Sequence, residues 1–177
     1  MRKFVGITLM FLLASLAVVA QEYPKAEVFG GYQYTHEGDL GQFGQGSGLN
    51  GWNTAVTGNL NHWIGVTGDF SGQYKSVSGV DLHNYTYTFG PTLAARQIRT
   101  FTPFVHGLFG GFSASLSGSG VSASNSGFAM AFGGGLDASV KQHWAVRLGQ
   151  FDWMSLRSNG SSSNNNFRYS AGLVLKF

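Results

Sequence analysis

The chain has 177 residues, enough for one domain, and no Pro-rich or Gly/Ser-rich linker divides it in two. Its 27 glycines are about twice the usual usage of roughly 7% and argue against a helical protein. Lys and Arg number 11 against 8 Asp and Glu, and the absence of Cys excludes disulfides and thiolate metal sites.

The N-terminus has the pattern of a secretory signal peptide. Arg2 and Lys3 precede an apolar run of 17 residues that ends at Ala20, shorter than the roughly 20 residues of a spanning helix. We expect cleavage after Ala20, with Ala17 as the alternative, and a mature domain over 21–177. Without Arg2 and Lys3 the chain has nine basic residues against eight acidic ones, so its charge gives no reason to expect a nucleic-acid partner.

Period-two alternation of apolar and polar residues predicts eight strands in the rest of the chain. The predicted ranges are 25–36, 51–60, 63–74, 84–94, 101–112, 127–139, 143–154 and 167–177. The alternation is clearest in the fourth range, where Tyr85, Tyr87 and Phe89 alternate with polar residues. No later segment could form a spanning helix, so any membrane crossing must be made by strands.

Two predicted strands leave the direction of their side chains open. In the fifth strand, apolar residues occur on both faces, and we favour an arrangement in which Val105 and Phe109 point outward and His106 points inward. In the seventh strand, Asp152 falls on the face that otherwise carries apolar residues. Either a β-bulge near Gln150 turns Asp152 inward, or Asp152 already lies above the membrane.

The connections between the strands alternate in length. They are short after strands two, four and six, and long and polar after strands one, three, five and seven. The long connections are 37–50, 75–83, 113–126 and 155–166. Short turns on one side and long loops on the other are typical of outer-membrane barrels. The sequence therefore predicts an all-β fold, an eight-stranded antiparallel up-and-down transmembrane barrel with short periplasmic turns and long extracellular loops.

The last strand has one apolar face that ends in an aromatic residue. This face consists of Phe167, Tyr169, Ala171, Leu173, Leu175 and Phe177. It resembles the C-terminal signal by which bacterial outer-membrane barrels are recognised for insertion. The resemblance implies the barrel-assembly machinery as a partner, with Phe167, Tyr169, Leu173, Leu175 and Phe177 as the signal residues.

The mature chain as a whole is similar to the OmpA-type or opacity-protein-like family of outer-membrane β-barrel domains. The phrases Val28-Phe-Gly-Gly-Tyr32, Pro103-Phe-Val-His106 and Val146-Arg-Leu-Gly-Gln150 contribute to this resemblance. It implies location in the cell outer membrane and a barrel without the peptidoglycan-binding domain of full-length OmpA proteins. These motifs specify an architecture and no activity.

Six charged residues fall on the polar faces of the predicted strands, which we expect to point into the barrel. They are Glu27, Asp69, Asp137, Arg147, Arg168 and Lys176. Unpaired charges in a narrow barrel would be costly, so we expect pairs. Strand neighbours suggest a network of Arg168 and Lys176 with Arg147 and Glu27. Because eight strands leave room for little beyond side chains, we expect a filled lumen and no sizeable pore.

Two predicted periplasmic turns share the pattern amide-His-Trp, Asn61-His62-Trp63 and Gln142-His143-Trp144. Trp63 and Trp144, together with Phe101 and Phe177, would form an aromatic girdle at the membrane interface. A metal site formed by the two His is the alternative, but no carboxylate motif accompanies them.

The remaining motifs give no strong sign of enzymatic chemistry or of a cofactor. The glycines of 46–51 match a dinucleotide fingerprint, yet they lie between two antiparallel strands rather than between a strand and a helix. No His is followed two residues later by Ser, the pair that lipid A deacylases of this size use. A Ser from another strand could still meet His83 or His106.

The main hypothesis is therefore a non-enzymatic, monomeric surface barrel with a structural or recognition role. Its partners would be outer-membrane lipid and lipopolysaccharide, with host or other cell-surface ligands at the loops. One alternative is an outer-membrane acyl hydrolase or transferase that acts on lipid A. The other is a soluble lipocalin-like periplasmic binder with its aromatic faces turned inward.

Overall fold

The computed structural model describes residues 23–37, 47–77, 80–97, 100–118, 121–158 and 161–177. The expected signal peptide lies outside these ranges. The strands are β1 (Ala26–Glu37), β2 (Ser47–Asn59), β3 (Ile64–Val77), β4 (Val80–Ala94), β5 (Phe101–Gly118), β6 (Val121–Lys141), β7 (Trp144–Ser158) and β8 (Ser161–Lys176).

Each strand pairs with the next one in the chain, and β8 pairs antiparallel with β1 to close the barrel. Closure removes the unpaired edges that an open sheet would expose to lipid. The predicted fold class, an eight-stranded antiparallel barrel, is confirmed. In the described ranges no helix is long and apolar enough to cross a bilayer.

The two faces of the barrel have the polarity of a membrane protein. Large apolar side chains point outward, including Tyr85, Tyr87, Phe132 and Phe89, the last of which is 68% exposed. Among the residues that the structure describes, buried polar and charged residues outnumber buried apolar ones, so the interior is polar. The lipocalin-like alternative is wrong on this point, because it requires these aromatic side chains inside.

The structure resolves both strands whose orientation was open. Val105 and Phe109 point outward, and His106 is buried, as favoured. In β7 the register shifts between Arg147 and Gln150, so that one extra residue stands opposite β8. This bulge restores Asp152 to the interior, where it is buried.

Three of the four segments that were predicted as external loops are instead parts of paired strands, so this prediction was wrong. The pairing continues to Val77↔Val80 in β3–β4, to Gly118↔Val121 in β5–β6 and to Ser158↔Ser161 in β7–β8. These segments lack the apolar–polar alternation that lipid on one face imposes, so the sequence does not reveal that the strands continue there. In the first loop, 38–46 lies outside the described residues and its ends belong to β1 and β2.

Candidate functional site

The centre of the lumen is occupied by the side chain of Arg168 on β8, which is only 1% exposed. Its Nη1 donates to Asp69 Oδ1 of β3 at 2.7 Å, and its Nε donates to Asp152 Oδ2 of β7 at 2.7 Å. Asp69 also accepts a hydrogen bond from Asn53 Nδ2 at 2.9 Å. The Arg168 guanidinium therefore connects β7 and β8 with β3 on the opposite side of the barrel.

His106 of β5 extends this network across β6. Its Nε2 lies 2.8 Å from Asp152 Oδ1, although β6 separates the two strands. Gly133 is the register partner of both His106 and Asp152. Because Gly133 has no side chain, the imidazole and the carboxylate meet over its backbone.

A second buried pair lies between the centre and the periplasmic end. Arg147 donates through Nε and Nη2 to the two oxygens of Asp137, at 2.8 and 3.0 Å. The guanidinium lies over the rings of Phe29 and Phe104, at 4.4 and 4.2 Å from their centroids. A bidentate pair stacked between rings is a geometry that Arg provides and Lys does not.

Gln150 connects the two ion pairs into one network. It accepts from Arg147 Nη1 at 2.6 Å and donates through Nε2 to Asp152 Oδ2 at 2.7 Å. A small cavity of about 20 Å³ remains beside this network, which is room for roughly one water molecule.

The periplasmic end of the lumen is covered by Arg96, from the β4–β5 turn. Its Nε lies 3.3 Å from Glu27 Oε1, and its Nη2 donates to Asn59 Oδ1 at 2.7 Å. Lys176 instead donates to Ser139 Oγ at 2.9 Å. Arg96 therefore contributes to closing the barrel base.

The predicted interior residues thus lie in the barrel, but the expected pairing was wrong. Arg168, Lys176, Arg147 and Glu27 do not form one cluster; each has a different partner. Like charges on neighbouring strands are separated because each Arg pairs with a carboxylate. The sequence reasoning missed the roles of Arg96, His106 and Gln150, because alternation within strands does not reveal contacts across a lumen or from a turn.

The predicted interface aromatics lie at the periplasmic end, and all four are exposed. They are Trp63, Phe101, Trp144 and Phe177. Asn61 shapes the first turn, since its Oδ1 accepts from the backbone N–H groups of Trp63 and Ile64. The described ranges contain no group of three or more His, Cys, Asp or Glu that could hold a metal.

The predicted insertion-signal residues lie along the outward face of β8. Phe167, Leu173 and Phe177 are exposed, and Tyr169 and Leu175 are half-buried. The Phe177 carbonyl accepts from the N–H groups of residues 25 and 26, so the chain end is held in the closing strand pair.

A second set of aromatic side chains, which the sequence analysis did not single out as a girdle, lies towards the outer end. Tyr32 OH donates to Asn50 Oδ1 at 2.5 Å, and Trp52 Nε1 donates to Tyr74 OH at 3.1 Å. Tyr85 OH lies 3.4 Å from Tyr74 OH. Phenol and indole groups of this kind suit the headgroup level of a membrane.

His83 and Ser115 are register partners on β4 and β5. The His83 ring packs edge-on against Tyr74, with centroids 5.3 Å apart. The hydrogen bonds of the described residues include none between His83 and Ser115. The pair is adjacent, but it does not have the connection of a nucleophile and its base.

Comparison with known proteins agrees with this architecture. The neisserial surface protein A structure superposes with a TM-score of 0.73 and 12% identity, over 89% of this chain and 100% of the other. The Ail protein of Yersinia pestis gives a TM-score of 0.61 and 18% identity, over 88% and 99%. The N-terminal barrel of Pseudomonas aeruginosa OprF gives 0.61 and 9%, over 88% and 100%.

These likenesses show the fold, since all the identities are low. A search among curated proteins found no match. The family described as outer membrane protein beta-barrel domain matches residues 6–177, almost the whole chain. The chain therefore belongs to the outer-membrane protein β-barrel domain family.

Proposed function

We propose that this chain is a non-enzymatic, monomeric barrel of the cell outer membrane that displays polar hairpins for surface recognition or envelope integrity. The observation that carries the proposal is the Arg168 network, which fills the lumen with paired charges. A barrel filled in this way has no room for a diffusing solute, so its interior serves stability. The protein would reach the membrane through its signal peptide and the barrel-assembly machinery.

The outer hairpins support a role in recognition. The paired ends of β5–β6 and β7–β8 are rich in Ser and Asn, and they extend beyond the apolar part of the strands. We propose that they contact lipopolysaccharide, other cells or matrix. Because Ail of Yersinia pestis has been crystallised with the heparin analogue sucrose octasulfate, sulfated polysaccharide is one ligand class to test.

Cell fractionation and hairpin exchange test this proposal. We expect the protein in the outer-membrane fraction of a Gram-negative host, with a gel band that shifts on boiling. Exchange of the β5–β6 hairpin tip should change surface binding while the heat-shifted band persists. A soluble protein, or loss of membrane assembly on exchange of the tip, would contradict the proposal.

The adjacency of His83 and Ser115 keeps lipid A acyl hydrolysis as the second candidate function. The measurement is mass spectrometry of lipid A from cells that express the wild-type chain or the Ser115→Ala variant. We expect identical acylation in both and in cells without the protein. A lost acyl chain that Ser115→Ala restores would show an enzyme.

A further inference from the structure

A furrow of about 410 Å³ crosses the outward face of the barrel over β1, β8, β7 and β6. Aromatic rings form its two walls, and these walls follow the strand register. One wall consists of His36, Phe167, Trp153 and Phe132, which are successive cross-strand partners. The other consists of Tyr34, Tyr169 and Phe151.

The walls are ordered by ring contacts between neighbouring strands. Phe132 and Trp153 stack with centroids 6.3 Å apart, and Phe151 and Tyr169 lie 5.0 Å apart. Asp152 and Arg168 also line the furrow. Their side chains bind each other inside the lumen, so their backbone forms the floor. The rigid lumen network thus lies directly beneath the furrow.

The furrow lies at the height of the outer leaflet. Phe167 is ten residues before Phe177, which corresponds to about 25 Å along the membrane normal for a strand tilted about 40°. Tyr169 lies about 20 Å above the same end by the same measure. An apolar band is about 25 Å tall, so the furrow lies in its outermost part.

A cation stands above the aromatic walls. Arg157 follows Trp153 by four residues on β7, and its partner on β6, Phe128, is exposed on the outer face. Arg157 is exposed and forms no ion pair with a described residue. A guanidinium here can bind phosphate oxygens in the headgroup layer.

We propose that the furrow holds one acyl chain of an outer-leaflet lipid whose phosphate headgroup is bound by Arg157. Phosphate above hydrocarbon chains is the chemistry that lipid A shares with phospholipids, and we assign lipid A because the furrow lies at the height of the outer leaflet. The ring walls offer an acyl chain apolar contact around an open volume of about 410 Å³, and Arg157 adds a charge-assisted contact to the phosphate of the same lipid. The inference rests on the proposed outer-membrane location and adds a specific lipid to it.

The test is native mass spectrometry of folded protein extracted from outer membranes in mild detergent. We expect one retained lipopolysaccharide molecule per barrel, identified by the mass of lipid A plus the core sugars of the host. Phe167→Ala should lower the retained fraction about fivefold, the effect of losing roughly 1 kcal/mol of ring contact. Phe70→Ala is the matched control, because Phe70 is a lipid-facing ring on β3 outside the furrow.

The headgroup is tested with Arg157→Gln, for which Lys141→Gln at the periplasmic end is the control. We expect retention to fall with the first variant alone. A heat-shifted band in each variant verifies folding independently. Absence of that band from the wild-type protein counts against the proposed function rather than against the furrow. Wild-type protein stripped of lipid provides a measurement without variants: added lipid A should bind more tightly than added phosphatidylcholine.

Several outcomes would overturn the proposal. These are no retained lipid on the folded wild-type barrel, an equal loss with Phe70→Ala, and no preference for lipid A over phosphatidylcholine. A retained phospholipid in place of lipid A would overturn the assignment of the ligand.

Discussion

Arg168 shows how a single charged side chain can hold a barrel together. It is buried and bonds carboxylates from two other strands, Asp69 and Asp152. Burial of three charges is costly, and only their mutual pairing compensates for it. Removal of Arg168 should therefore destabilise the barrel mainly because it leaves the two buried carboxylates unpaired.

We expect Arg168→Met to lower the free energy of unfolding by about 3–5 kcal/mol, because it leaves two buried carboxylates without their cation. Urea unfolding of the barrel in lipid vesicles measures this change. Lys141→Met is the control, since Lys141 is exposed, and a change within about 0.5 kcal/mol is expected there. Equal effects of the two substitutions would show that the lumen network does not stabilise the barrel.

Gly133 lies on β6 between His106 and Asp152, and it has no side chain to separate them. A Cβ at this position would collide with Asp152 Oδ1 and with the Phe151 carbonyl oxygen. We expect Gly133→Val to separate His106 from Asp152 and to destabilise the barrel by about 1–3 kcal/mol, as overpacking does. Gly58→Val is the control, because a Cβ there meets nothing within 4 Å. An unchanged stability of the Gly133→Val variant would show that the contact between His106 and Asp152 does not require a glycine at this position.

Strand β5 extends through two environments, lipid below and the external hairpin above. In β5 the lower part faces lipid, whereas the upper part continues in a hairpin with β6 to Gly118↔Val121. On the outward face the upper part of β5 carries Ser113 and Ser115 rather than apolar residues, so its removal should lower the stability of the barrel little.

We expect a barrel in which an Asn-Gly turn replaces residues 115–124 to assemble with a stability change below about 1 kcal/mol. Ala114 and Asn125 are register partners, so a two-residue turn can join them. Heat-shifted gel bands and urea unfolding report the result. Val105→Arg is the contrast, since a lipid-facing Arg near the midplane costs about 2–4 kcal/mol. A hairpin deletion that is more damaging than Val105→Arg would mean that the external hairpin nucleates assembly.

The lumen is closed at several levels along the barrel axis. Arg168 fills the centre, the stacked Arg147 lies below it, and Arg96 covers the base. The cavity beside the network has about 20 Å³ and accommodates no hydrated ion.

We therefore expect no stable channel conductance from the folded wild-type protein in planar lipid bilayers. A protein-free bilayer and a known porin are the negative and positive controls. Sustained steps of conductance from heat-shifted, folded protein would show that the salt-bridged lumen opens.

Much of this architecture could be predicted from alternation. The predicted lower ends of the strands, such as residue 94 of strand four and residue 101 of strand five, agree with the structure. The upper ends were placed too low, as for strand six, which begins at Val121 rather than at residue 127. Alternation marks where lipid touches a strand and not where hydrogen bonding to its neighbour stops.

The barrel, its strand number and the orientation of most side chains could be predicted from the amino-acid sequence, because lipid on one side imposes a period of two along each strand. The partners inside the lumen could be identified only in the folded chain. His106 reaches Asp152 over Gly133, Asp69 meets Arg168 across the barrel, and Arg96 enters from a turn. These contacts depend on strand register, one bulge and closure, which place residues far apart in sequence within hydrogen-bonding distance.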